Sequence, residues 1–520
     1  MTDSEARLRE AAAARTAGAL DAARAACESV LQRDANHAAA LNLMAEIAAD
    51  ANDADAGLTW ARRAIAADPL AAAPRYSLGR IFEVRGEPGE AEAAYREALR
   101  LAPNHAKAHN NLGCVLHMQG RLDEALACYR RALELAPYLP EANQNYGSIV
   151  RDAAALEQAV AGYRRHLAAH PGDALAFNNL GNTLREAGRY EEALAAFDSA
   201  VRLDPKFAEA RFSRSFVLLL LGKYLEGWRD YEWRAGTASF GAPARRFRQP
   251  MWDGRRQPGS TILLHAEQGF GDTLQFVRYA PLVAAQCGTL ALECQPELKE
   301  LLRSLPGVRT IVAQGEALPE FDFHLPLMSL PAVFRTTLET VPWHGPYVRA
   351  DPLRVSAWRA AVGDRGAPKV GIAWAGRPQQ WDDRKRSMDL AALAPLAQVS
   401  GARFVSLQVG PAASQAAAPP AGMALYDAAG RLHDFADTAA LVACLDLVIT
   451  ADTSVAHLGG AMGVPTWVLV ARAPDWRYHL ERTDNPWYPS MRLFRQARDG
   501  DWSEPVRAAA DELARLAASR

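Results

Sequence analysis

The sequence predicts an α-helical repeat solenoid followed by an α/β module of two doubly wound lobes. Three observations carry this expectation. Proline recurs every 34 residues through the first half. After residue 258, short apolar runs alternate with helical patterns, as in a parallel sheet with crossover helices. Val448–His457, continued by Gly463–Val470, reads as strand, polar turn, helix of small residues and second strand, a β-α-β unit.

With 520 residues, 49% hydrophobic and 23% charged, the chain is globular and holds more than one domain. A net charge of -2 gives no reason to expect nucleic acid or an anionic membrane as partner. The start, Met-Thr-Asp-Ser-Glu-Ala-Arg, lacks the apolar core of a signal peptide, and no run is long enough to span a bilayer. Cysteines 27, 114, 128, 287, 294 and 444 form no C-x-x-C pair and lie at no zinc-ligand spacing from histidine. Buried thiols in a reducing cytoplasm are the expectation.

Within residues 1–238, Pro69, Pro103, Pro137, Pro171 and Pro205 mark the repeat. Ala91, Ala125, Ala159 and Ala193 keep the same step, as do Tyr95, Tyr129, Tyr163 and Phe197. Gly79, Gly113, Gly147 and Gly181 form a third column. Small residues let paired helices approach, the aromatic fills the gap, and proline ends each unit. The pattern resembles the tetratricopeptide repeat, which implies antiparallel helix pairs. Terminal units are degenerate, with Ala35 in place of proline and Gly57 and Gly227 in the alanine column.

Asn111, Asn145 and Asn179 form a further column, with Asn110 and Asn178 beside two of them. Such a column can hydrogen-bond the backbone of an extended peptide. This half also resembles the peptide-binding O-GlcNAc transferases, which carry such an asparagine ladder. The alternative is a repeat consensus with solvated amides.

Residues 239–257 read as a connector, with Arg, Gly and Pro and no period. The first lobe, 258–350, opens with the strand Thr261–Leu264, the turn His265-Ala-Glu-Gln-Gly-Phe-Gly-Asp272 and a helix from about Thr273 to Gln286. Leu290–Cys294, Arg309–Val312 and Asp322–Leu325 are its other strands. Residues 347–366, with Pro352, read as a hinge. The second lobe, 366–502, has strands at Lys369–Trp374 and Arg403–Gln408, a helix around Thr438–Cys444, and the β-α-β unit. An amphipathic helix within 503–520 would cross back to the other lobe.

Two such lobes facing a cleft describe the GT-B glycosyltransferase fold. Gly269-Phe-Gly-Asp272, and Asp452-Thr-Ser-Val-Ala-His457 with Ala461-Met-Gly-Val-Pro465, resemble the bacterial lipopolysaccharide heptosyltransferases. The whole chain is similar to bacterial proteins that fuse tetratricopeptide repeats to such a module.

The site residues follow from turn positions and from that resemblance. In an open α/β sheet, ligands bind beyond the carboxyl ends of the strands, and a helix start suits phosphate. Asp452, Thr453 and Ser454 occupy such a turn, and His457 lies one helical turn further on. The alternative is that Asp452 caps the helix and His457 packs. The resemblance implies that Asp452, Thr453 and His457 hold the donor's phosphates or ribose; Ser454 stands where the family usually has glycine. It also implies that Asp272 is the general base on the acceptor hydroxyl, with Gly269 and Gly271 allowing close approach. Asp272 taken alone reads rather as a helix N-cap. Arg384, Lys385 and Arg386 offer positive charge to the leaving diphosphate, and Gln408 ends a neighbouring strand. Asp382-Asp383 lacks the flanks of a metal-binding D-x-D, so neither metal nor cofactor is expected.

Three functions fit this reading. One is a metal-independent inverting glycosyltransferase using a nucleotide-diphosphate sugar and a protein or peptide acceptor held by the repeats. Another is a saccharide-directed enzyme whose repeats serve assembly. The third is a non-catalytic scaffold, against which the joint presence of Asp272 and the Asp452–His457 cluster speaks.

Overall fold

The computed structural model of the chain describes residues 3–16, 18–51, 53–119, 121–136, 139, 141–142, 145–146, 153–237, 247–363, 367–376 and 383–518. Pro137, Gly147, Asp382 and residues 239–246 of the expected connector lie outside the described residues. The chain forms two compact units, Met1–Leu203 and Asp204–Arg520.

The first unit consists of antiparallel helix pairs, among them Ala38–Asp50 with Ala54–Ala67, Ala73–Arg85 with Pro88–Leu101, Ala106–Met118 with Leu122–Leu135, and Ala174–Glu186 with Tyr190–Leu203. The glycine and aromatic columns meet inside each pair. A Cβ built on Gly79 would stand 2.5 Å from the Tyr95 ring, on Gly113 2.6 Å from Tyr129, and on Gly181 2.7 Å from Phe197. Only glycine admits a buried ring there. The residue six beyond each proline often donates to its carbonyl: Arg75 to Pro69 at 2.7 Å, Arg211 to Pro205 at 2.8 Å.

The second unit begins with the last helix pair, Ala208–Leu220 and Tyr224–Tyr231, which the repeat pattern assigned to the solenoid. Its aromatic residues explain the difference. Tyr224, Trp228 and Tyr231 are buried, and Trp228 packs edge-on against Trp476 and Trp487 of the α/β region.

The α/β region has two separate parallel sheets, as the sequence predicts. The first joins β1 (Gln257–His265), β2 (Cys287–Cys294), β3 (Thr310–Ala313) and β4 (Phe323–Pro326) in the order β3-β2-β1-β4. The second joins β5 (Lys369–Ala373), β6 (Arg403–Ser406), β7 (Leu425–Asp427), β8 (Leu447–Ala451), β9 (Thr466–Val470) and β10 (Met491–Arg495) in the order β10-β9-β8-β5-β6-β7. Counted from β5, this is the doubly wound order 3-2-1-4-5-6. Strand order reverses between β1 and β4 and between β5 and β8, which puts a ligand crevice at the carboxyl ends of those pairs.

Several expected boundaries are corrected. The helix after β1 starts at Phe270, and Asp272 is its third residue. β6 ends at Ser406, before Gln408. Pro352 opens the helix Pro352–Val362, whose cap is Asp351, so much of the stretch between the two sheets is helical. The terminal helix Ser503–Ala518 stays on its own lobe: Val506, Ala509 and Leu513 share one core with Val370, Leu447 and Leu469. Among the described residues no helix is long and apolar enough to cross a membrane.

Candidate functional site

On the second lobe the site starts where β8 ends. Thr453, extended at φ -136°, is the N-cap of the helix Ser454–Ala461, and its hydroxyl accepts from the Val455 amide at 3.3 Å. Thr450 Oγ1 lies 3.0 Å away and fixes that rotamer. The capping reading for Asp452 therefore fails. Its carboxylate accepts instead from the Tyr478 hydroxyl at 2.8 Å, with Arg386 Nη1 3.9 Å from the other oxygen. Arg386 arrives from the loop after β5, on the short helix Asp383–Arg386, across the strand reversal. Lys385 lies on the same turn; the side chain of Arg384 is outside the described residues. Ser454 is half-buried at the helix start.

His457 is buried and its Nδ1 lies 3.0 Å from the Tyr488 hydroxyl. Its ring also meets the first lobe. A Cβ on Gly271 would fall 2.7 Å from His457 Cδ2, so the two lobes touch here through a glycine. Phe270 stacks edge-on with Phe435 of the second lobe, centroids 4.9 Å apart.

On the first lobe, Asp272 Oδ2 accepts from the Gly269 amide at 3.0 Å, the back-reaching half of a capping box. Asp272 is therefore not the N-cap, which is Gly269, but the third helical residue bonded back to it. The other oxygen accepts from Arg477 Nη2, on the loop after β9. Arg477 also donates to Gln275 Oε1 at 2.5 Å and to Asp475 at 2.9 Å. Asp272, Asp452, Arg386, His457, Asp475, Arg477 and Tyr478 therefore form one cluster at the meeting of the lobes.

Burial dominates the electrostatics. It pushes the Asp272 carboxyl above its ordinary range, against the pull of Arg477. It pushes Asp452 up to about 6, with Arg386 opposing. Burial, joined by Arg477, Arg278 and Arg386, drives His457 well below its usual value, so the ring is neutral at pH 7. Among the described residues, no three His, Cys, Asp or Glu converge closely enough to hold a metal ion.

Two sets of expected residues have other partners. Gln408 reaches the sheet edge but accepts from the Trp374 and Ala375 amides at 3.0 and 2.9 Å and donates to the Ala375 and Val409 carbonyls. Its side chain braces the start of the loop after β5 and its own neighbour Val409. In the repeats, Asn111 donates to the Tyr76 and Tyr95 hydroxyls at 3.4 and 3.3 Å, and Asn145 donates to Asn110 Oδ1 at 3.0 Å and Cys114 Sγ at 3.1 Å. Ser77, one repeat before Asn111, donates to Asn42 at 2.9 Å. In three successive repeats this column is bonded to the residue 35 positions earlier. It staples neighbouring repeats. Asn179 is buried. Asn111 does line a cavity of about 440 Å³ with Tyr76, Arg80, His105, Lys107 and Asn110.

The loop Asp475-Trp-Arg-Tyr-His479 escaped the sequence reading. A signal was present: charged and aromatic residues directly after a buried strand, at the ligand-binding edge of the sheet.

Models described as tetratricopeptide repeat match residues 76–140 and 174–207. Protein FlbA of Caulobacter vibrioides is 30% identical over 335 residues, covering 60% of this chain and 56% of FlbA. The chain thus spans little more than half the length of that relative. Among solved structures, the E. coli ADP-heptose lps heptosyltransferase II is 13% identical, with 50% of this chain and 99% of that one covered and a TM-score of 0.36. YrrB, a TPR protein with an unusual peptide-binding site, is 25% identical over 35% of this chain and 95% of its own, with a TM-score of 0.25. The chain carries tetratricopeptide repeats followed by an α/β region of two parallel sheets.

Proposed function

We propose that the protein is a metal-independent, inverting glycosyltransferase that moves a sugar from a nucleotide-diphosphate donor to a protein or peptide acceptor held by the repeats. The observation that carries this reading is the meeting of Asp272 from one lobe with the Asp452–His457 turn and Arg386 from the other. The acceptor O–H gives its proton to Asp272, and its oxygen bonds to the anomeric carbon. The bond from that carbon to the phosphate oxygen breaks, and the diphosphate departs towards the helix start at Ser454 and Arg386. Attack and departure on opposite sides invert the anomeric centre. A carboxylate raised by burial is a stronger base than an exposed one.

The test begins with a thermal-shift panel of nucleotide diphosphates, then measures sugar transfer. Asp272→Asn is expected to lower turnover by about 10²–10⁴-fold with little change in donor affinity. Asp452→Ala with Thr453→Ala is expected to weaken donor binding. Full activity in Asp272→Asn would remove it as the base.

A second reading, a saccharide acceptor with repeats used for assembly, gains support from the asparagine column. The amide donors of Asn111 and Asn145 are engaged inside the solenoid. On the peptide reading, the acceptor's contacts fall to the cavity around Tyr76, Arg80 and Lys107 instead. Substituting those three should weaken acceptor binding while leaving donor binding intact.

A further inference from the structure

Arg477 belongs to the second lobe, yet its guanidinium ends on the first. Nη2 donates to Asp272 Oδ1, Nε to Gln275 Oε1 at 2.5 Å, and Nη1 to Asp475 Oδ1 at 2.9 Å. The group also lies over the Trp476 ring, 4.3 Å from its centroid, with Phe276 at 5.9 Å. All three nitrogens are engaged and the plane is held by a ring. Nothing in the turn chemistry of the first lobe requires this partner, because the Gly269 amide already meets the other oxygen of Asp272.

We infer that Arg477 is a positioning residue for the base: from across the cleft it orients the Asp272 carboxylate and keeps it ionised. The inference rests on the reading of Asp272 as the base. Two donors, one on each oxygen, fix the plane of the carboxylate, so the remaining lone pairs point in set directions towards the acceptor hydroxyl. Charge acts in the same direction. The groups facing Asp272 are Arg477 and Asp475 on the loop after β9, Arg386 on the helix Asp383–Arg386, Glu267 on its own turn, and the Tyr231 hydroxyl of the last repeat. Without Arg477, Asp272 would face Asp475 with Arg386 as its remaining counter-charge, while Glu267 keeps its own partner, Arg234. Lysine cannot replace the fork, since a single ammonium does not bond Asp272, Gln275 and Asp475 in fixed geometry.

The test compares Arg477→Gln and Arg477→Lys with the full-length wild type. The Asp272 titration is read directly by NMR of protein labelled at aspartate Cγ, its signal assigned by loss in Asp272→Asn. This needs no substrate. In Arg477→Gln the titration is expected to move up by about 1–3 pH units, the range an adjacent opposite charge accounts for. The acid limb of kcat/KM for sugar transfer should move with it, so that part of the activity returns at higher pH. Arg477→Lys should recover most of the titration shift but not the turnover. A merely structural arginine would lower activity equally at all pH values. An unmoved titration in folded Arg477→Gln overturns the inference; if that variant does not fold, wild-type turnover in Arg477→Lys overturns it instead. A moved titration without any shift in the acid limb supports the ionic hold on Asp272 and instead overturns Asp272 as the base.

Discussion

Asp452 and His457 stand five positions apart, and burial moves them in opposite directions. Asp452 is pushed up to about 6, above the ordinary carboxylate range. A raised acid contributes stability that is complete below its unfolded value, near 4, and is lost as pH rises through about 6. His457 is held low, so its contribution is complete above the ordinary histidine value, near 6.5, and is lost as pH falls below it. The two therefore oppose each other between pH 4 and 6.5. Asp452→Asn separates them, because asparagine keeps an oxygen for the Tyr478 hydroxyl and cannot ionise. The variant's stability relative to wild type should rise between pH 4 and 6 and level off above, by up to about 3 kcal/mol at 1.36 kcal/mol per unit. Urea unfolding midpoints across that range measure it. A flat difference would mean that Asp452 does not titrate in this environment.

At the scale of elements, the repeat was legible because each helix pair needs the same small and large residues at the same step. Gly113 shows the force of that requirement. Helical glycine is usually improved by alanine, by about 0.5–1 kcal/mol. At Gly113 an added Cβ would stand 2.6 Å from the Tyr129 ring, so Gly113→Ala should destabilise by about 1–3 kcal/mol as an overpacking change. Gly162, on the helix Ala153–Ala169, has nothing within 4 Å of such a Cβ, and Gly162→Ala should stabilise. Opposite signs in hydrogen exchange of the two helix pairs would bear this out; equal signs would discard the glycine–ring account. The β-α-β unit around Asp452 was legible for a similar reason, since β8 and β9 are buried on both faces and read as continuous apolar runs. β7 was not, at three residues, nor β10, where Arg492 faces outward between buried Met491 and Leu493. Spacing alone put the asparagines on one face but said nothing of which partners their amides choose. The pairing of Arg477 with Asp272 was beyond reach, because the two lie 205 positions apart.

At the scale of the whole molecule, the boundary between compact units falls inside the repeat array, after Leu203. The last helix pair holds both loops of the candidate site. The Tyr231 hydroxyl donates to Gln268 Oε1 at 3.3 Å, beside Gly269, and Arg234 is ion-paired with Glu267 at 2.6 Å. On the other side, His479 follows Tyr478 with φ 52° and ψ -169°, a conformation that favours glycine and costs about 1–3 kcal/mol elsewhere. The pair stabilises it: His479 Nδ1 donates to the Leu220 carbonyl at 3.0 Å, which leaves Nε2 to accept from the Tyr224 hydroxyl at 3.2 Å. Trp487 donates to that same hydroxyl at 3.0 Å, and Trp228 donates to the Thr336 carbonyl at 3.0 Å. The unit that carries the candidate site thus begins at Asp204. A chain of residues 204–520 should unfold in one cooperative transition and give the nucleotide-induced thermal shift of the full protein. A chain of residues 247–520 would uncover Trp476 and Trp487 and release His479, and should lose both the transition and the shift. Trp228→Ala in the full chain tests the same contact without truncation, with an expected cost of about 3–5 kcal/mol. If residues 247–520 match residues 204–520 in melting temperature and nucleotide response, the last repeat is only a neighbour of the site and not part of it.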